Sequence, residues 1–158
     1  MKTTVIRQTL VLLGFLLVTF AVAGISGAST SGSVRGWYLT ISKPSWNPPS
    51  WVFGPAWTVL YALMAVAAWL VWRQDGWSGA LLLFGIQLAL NAAWSPLFFG
   101  LHRIDLALAD IVLLWVAIVA TTVAFWKVTP GAGGLFVPYL AWVSFATVLN
   151  FTIWRMNR

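Results

Sequence analysis

The chain has 158 residues, of which 61% are hydrophobic and 8% charged, against roughly 25% charged in soluble domains. No cysteine, one histidine and three acidic residues exclude disulfides, thiol redox chemistry and a protein metal cage. Nucleophilic hydrolysis also lacks its parts, because His102 has no acid at a suggestive spacing. The net charge of +6 would suggest nucleic acid in a soluble protein. Here, however, the basic residues all fall at the ends of apolar stretches, where they suit lipid headgroups, and nucleic acid is set aside.

Five apolar stretches, at about 5–25, 51–72, 78–100, 106–126 and 132–154, each reach the ~20 residues that cross a bilayer as a helix. Their runs are continuous rather than alternating, which selects helices over a barrel. The expected fold is therefore an all-α integral membrane protein, one five-helix transmembrane domain over 1–158. The first stretch begins with Lys2 and Arg7 and could pass for a signal peptide, but its apolar run exceeds a typical ~7–15-residue signal core and reads as a retained helix. With five spans the termini lie on opposite sides, and four basic residues against five lean toward a cytoplasmic C-terminus.

A long link covers 27–50. It opens with Ser29, Thr30, Ser31, Gly32 and Ser33, which read as flexible. Pro44, Pro48 and Pro49 follow, and each removes an amide donor and fixes φ, so no regular helix is expected there. Trp37, Tyr38, Trp46 and Trp51 in this stiffened segment suit either a cap over the bundle or an interfacial aromatic belt. Trp72, Trp77, Trp126 and Trp154, near span ends, read as belt residues. The remaining links are short, which makes sequential helices expected neighbours.

The third span carries Gln87, Asn91 and Ser95 at i, i+4 and i+8. A second stripe, Gly85, Ala89 and Ala93, lies about 200° away at the ~100° per residue of an α-helix. Amides facing lipid are unfavourable, so the first stripe should face the interior, for a ligand or for interhelical hydrogen bonds. Small residues at four-residue spacing admit close approach of another helix, in this chain or in a second copy; a homodimer through Gly85, Ala89 and Ala93 is expected. Pro96 should loosen the end of that helix. Asp110, about a turn inside the fourth span, is an intramembrane ionisable group, with Arg103 two turns earlier as its expected structural partner. Trp57, Tyr61 and Met64 share one face of the second span, and Tyr139, Trp142, Ala146 and Asn150 one face of the fifth. Together these stripes describe an apolar cavity with a few convergent polar groups, suited to a flat conjugated ligand that stacks on Trp and Tyr.

The loop from Trp37-Tyr38 through Lys43-Pro44-Ser45-Trp46-Asn47-Pro48-Pro49 to Trp57 resembles the TspO/MBR family, the translocator proteins, tryptophan-rich sensory proteins or peripheral-type benzodiazepine receptors. So do Asn91…Trp94-Ser95-Pro96-Leu97-Phe98-Phe99-Gly100 and Val137-Pro138-Tyr139-Leu140-Ala141-Trp142…Asn150. The resemblance runs from about Trp37 to Arg155 and implies a five-helix bundle, commonly dimeric, that binds tetrapyrroles such as protoporphyrin IX and heme in a pocket beneath the first long loop. It implies a binding site of Tyr38, Phe53, Trp57, Tyr61, Asn91, Trp94, Ser95, Phe98, Trp142, Ala146 and Leu149, with no obligatory cofactor and no metal. Lys43 or Arg35 is a candidate partner for propionates. The resemblance also carries two alternatives, a light- and oxygen-dependent porphyrin-degrading enzyme in which Trp57 and Trp142 take part, and a ligand-regulated sensory scaffold. Phe151 stands where animal members carry the central tyrosine of a cholesterol motif, so cholesterol binding is not expected, and a bacterial-type member in the cell membrane is.

Overall fold

The computed structural model describes residues 2–158, with side chains from Thr4 onward; the Lys2 side chain, counted in the charge tally, lies outside them. Six α-helices follow one another: α1 (Lys2–Val34), the single turn α2 (Trp37–Thr40), α3 (Ser50–Asp75), α4 (Gly79–Ser95), α5 (Ile104–Val128) and α6 (Pro130–Met156). A π-helical turn, Pro96–Gly100, extends α4. Five segments (α1, α3, α4 with its extension, α5 and α6) are long and apolar enough to cross a membrane, as the hydropathy pattern requires.

The helix ends follow local chemistry. Gly76, at φ 62°, takes the left-handed conformation that ends α3. Pro130 begins α6, where its missing N–H costs nothing. Pro96 cannot donate back to the preceding turn, and the chain widens so that the Leu101 N–H reaches the Pro96 carbonyl at 2.8 Å.

One boundary and one belt residue differ from expectation. The segment 27–34, expected as flexible link, continues α1 as helix. Its hydroxyls are satisfied within the helix: Ser29 Oγ donates to the Ile25 carbonyl at 3.0 Å and Thr30 Oγ1 to that of Ser26 at 2.7 Å. Trp72 is buried at 9% exposure rather than sitting in a belt, with the Arg7 guanidinium 5.5 Å from its ring; Trp77 and Trp126 are exposed near span ends.

The helices close into a ring in the order α1, α3, α6, α5, α4 and back to α1. Short links do set α4 beside α5 and α5 beside α6. The equally short link between α3 and α4 does not make those two close neighbours; α1 lies between them. The end of the bundle holding the N-terminus of α3 and the C-terminus of α6 also holds the proline loop. The opposite end is filled by Phe84, Phe125 and Phe136, with ring centroids 5.0 to 6.3 Å apart.

Candidate functional site

A polar layer divides the bundle at mid-height. The Tyr61 hydroxyl donates to Asn91 Oδ1 at 2.7 Å, and Asn91 Nδ2 donates to the Tyr139 hydroxyl at 2.8 Å. The Tyr139 hydroxyl in turn donates to Gln87 Oε1 at 2.9 Å. All four residues are buried, so each must find partners inside the protein. The stripe expected to face inward on the third span therefore does so, and Gln87 and Asn91 spend their amides chiefly on interhelical bonds, leaving Asn91 one free N–H.

Above this layer lies a cavity of about 500 Å³, within the usual range of roughly 300–1,000 Å³ for small-molecule pockets. The structure brings all of the sequence-derived candidates to its wall: Tyr38, Phe53, Trp57, Tyr61, Asn91, Trp94, Ser95, Phe98, Trp142, Ala146 and Leu149. They come from the loop turn α2, from α3, from α4 with its π-turn, and from α6. The rings are held edge to face or tilted: Phe53 and Trp142 at 5.9 Å, Trp57 and Tyr61 at 5.5 Å. Trp94 stacks on Phe98 at 5.1 Å, and its indole N–H donates to Asn150 Oδ1 at 3.0 Å. The Trp142 indole N–H is buried without a partner.

The roof is the proline loop. Tyr38 donates to Asn47 Oδ1 at 2.9 Å, and burial pushes its phenol above the ordinary range, so it remains a neutral donor. The Lys43 ammonium donates to the carbonyls of Tyr38 at 2.5 Å and Ile41 at 2.8 Å and lies over the Tyr38 ring. Lys43 thus holds the loop's shape and is not among the residues that line the cavity, whereas Arg35 is. Trp37 and Tyr38 pack on Phe98 and Phe99, with ring centroids 5.5 to 6.2 Å apart, and the loop is fastened further at three places. Asn157 exchanges two hydrogen bonds with the Ser42 backbone, 2.9 and 2.8 Å; Trp37 stacks on His102 at 4.2 Å; Trp46 meets Phe145 at 5.9 Å. Of the two readings of this aromatic segment, the geometry of Trp37, Tyr38 and Trp46 is that of a cap, whereas Trp51, 75% exposed, fits the belt. His102 serves the cap from outside the cavity.

Two features went unseen in the sequence. The C-terminal part of α1 contributes Ser26, Gly27, Thr30 and Ser31 to the wall, and Arg35, one of the two propionate candidates, follows it there. Asn150 fixes Trp94 and also donates to the Ile104 carbonyl at 3.2 Å; it was read only as part of an aromatic stripe. The expected Arg103–Asp110 pairing is absent. Arg103 forms a two-pronged pair with Asp105, at 2.9 and 2.6 Å, because a carboxylate two residues away is reached without entering the bilayer. Asp110 is buried with Oδ2 unpartnered.

A membrane bundle of five helices, roofed by a proline-stiffened loop over an indole-lined hollow, defines the class. The sequence model of the TspO/MBR family matches residues 15–155, and the chain belongs to that family. It is 46% identical to the tryptophan-rich protein TspO of Chlorobaculum tepidum over 139 residues, covering 85% of this chain and 88% of that protein. It is 44% identical to the tryptophan-rich sensory protein of Cereibacter sphaeroides over 144 residues (90% and 91%). The human translocator protein is 42% identical over 150 residues, 92% of this chain and 89% of its own length.

Proposed function

We propose that this protein is a membrane receptor or transporter for tetrapyrroles of the protoporphyrin IX and heme type, held in the roofed cavity. One observation carries the reading: eleven residues, mostly aromatic and drawn from four parts of the chain, surround a single apolar space of about 500 Å³. Burying a flat macrocycle against indole and phenol faces supplies the affinity, and the free Asn91 N–H and the Ser95 hydroxyl supply orientation. The test is a titration of purified protein with protoporphyrin IX, followed by tryptophan quenching. Trp57→Ala and Trp142→Ala should each weaken binding about tenfold; unchanged affinity in both variants refutes the pocket.

A second reading is light- and oxygen-dependent breakdown of the porphyrin. It is favoured by Trp57, which faces the cavity 5.5 Å from Tyr61 and so sets two oxidisable rings side by side. Illumination of the porphyrin-loaded protein in air separates it from binding alone. A bilin-like absorbance beyond the protein-free control supports it, and its absence ends it.

We also propose a homodimer through α4. Gly85 and Ala89 are exposed, and a Cβ on Gly85 would meet nothing within 4 Å, which leaves this face open to close packing by a second copy. Gly85→Leu should shift the detergent-solubilised protein toward monomer in light scattering.

A further inference from the structure

The cavity wall is chemically lopsided. Its deep part is aromatic, whereas the lining residues that reach the outside (Gly27, Ser31 and Arg35 from α1 and the residue after its end, Ser50, Gly54 and Thr58 from α3) are small or polar. The cavity therefore opens between α1 and α3, close beneath the roof. Among all of the lining residues Arg35 is the one that carries a charge.

The other described cations at this end of the bundle are engaged elsewhere. Lys43 is bound to two loop carbonyls, and Arg103 is paired with Asp105. Arg155 lies over Phe151 at 5.9 Å and Arg158 over Trp154 at 5.1 Å. Arg35 forms no ion pair among the described residues, and its guanidinium offers a planar donor fork matched to carboxylate.

We propose that Arg35 is a specificity-determining residue of this site, and that it selects ligands which are flat and apolar at one end and carboxylate-bearing at the other. This rests on the tetrapyrrole reading and deepens it: the acid edge of the macrocycle lies at the α1–α3 mouth and the ring goes inward. The alternative occupant of an exposed arginine at a membrane surface is a lipid phosphate; if that is the role of Arg35, the wild type shows no preference between a diacid ligand and its ester.

The experiment compares protoporphyrin IX with its dimethyl ester, which keeps the ring and removes both charges. Each is titrated in neutral detergent against the wild-type protein, Arg35→Gln and Arg35→Lys. Because the same two probes meet every protein, micelle partitioning cancels from the ratio of their affinities. The wild type should prefer the diacid by about fivefold, the upper range for a partly solvated charge pair. Arg35→Gln should abolish that preference while binding the ester as the wild type does, which also certifies its fold, and Arg35→Lys should restore part of it. A preference that survives in Arg35→Gln, or is absent from the wild type, overturns the role of Arg35 and leaves the tetrapyrrole pocket standing. Binding of neither probe by the wild type overturns the tetrapyrrole reading and this inference with it.

Discussion

The two ends of this bundle are built on opposite terms. At the end away from the loop, Met64, Ala65, Ala67, Ala68, Val71 and Phe125 are fully enclosed, and α5 and α6 come so close that a Cβ on Gly133 would sit 2.6 to 2.8 Å from Trp126. At the loop end the same helices diverge around a hollow. The polar layer of Tyr61, Asn91, Tyr139 and Gln87 is the border between them. Lipid provides no hydrophobic drive for helix association, so close contact of small residues and buried hydrogen bonds must hold the helices together. The packed end and the border supply that cohesion, which allows the roofed end to remain open without loss of the fold.

If this division is right, substitutions at the packed end lower stability and leave the affinity of the folded fraction intact. The largest effect is expected for Phe136→Ala. Its ring has no exposure and touches Phe84, Phe125 and Tyr139, and removal of such a ring costs about 3–5 kcal/mol. Thermal unfolding in detergent should show it, while porphyrin affinity measured below the transition stays at the wild-type value. Gly133→Ala comes next. The atoms in the way include the Trp126 Cα, which cannot swing aside as a side-chain tip can, and overpacking of this kind costs about 1–3 kcal/mol. A wild-type melting temperature in Gly133→Ala would show that α5 and α6 have slack at their crossing.

Much of the loop end was legible in the sequence, because prolines and indoles leave strong signals and helical spacing put Trp57 with Tyr61 and Trp142 with Ala146. The inward polar stripe was legible because lipid penalises amides on the outer face. The α1 extension was not. Ser29, Thr30 and Ser33 look like linker by composition, yet Ser29 and Thr30 return their hydroxyl hydrogens to their own helix, and that of Ser33 goes to the Phe99 carbonyl. Consequently the contribution of α1 to the cavity is not legible in the sequence, although Arg35 just beyond its end is a candidate there as a partner for propionates. The ring order was also hidden. A short connection fixes how far apart two helix ends are and says nothing about which helix slides between them, as α1 does between α3 and α4.

The border itself is tested by Tyr139→Phe. This removes one donor and one acceptor, leaving Gln87 Oε1 and one Asn91 N–H without their partner. Interhelical bonds in membrane bundles average about 0.6 kcal/mol each, so a loss of about 1 kcal/mol is expected. Because Asn91 both belongs to the border and lines the cavity, affinity should fall modestly as well. Tyr139→Phe should therefore be the substitution that moves both quantities, and a change in stability alone would mean that the layer is sealed from the hollow.

The smallest effect on stability and the most telling one on kinetics belong to Asn157→Ala. The Asn157 amide accepts from the Ser42 N–H and donates to the Ser42 carbonyl, joining the roof to the last turn of α6. These bonds are exposed, so water replaces them and the stability cost should be within about 0.5 kcal/mol. The roof, however, loses one of its fastenings, keeping the Trp37–His102 stack, the Trp46–Phe145 contact and the packing of Trp37 and Tyr38 on Phe98 and Phe99. A loop that opens more often releases ligand faster, and because opening speeds association too, the dissociation rate should rise more than the equilibrium affinity falls. Asn157→Asp makes the argument sharper. A carboxylate still accepts from the Ser42 N–H but cannot donate to its carbonyl, so its dissociation rate should lie between those of the wild type and Asn157→Ala. Stopped-flow recovery of tryptophan fluorescence after displacement of protoporphyrin IX measures all three. Equal rates would mean that the ligand leaves through the α1–α3 mouth with the roof shut, which would make the loop a wall of the cavity rather than its gate.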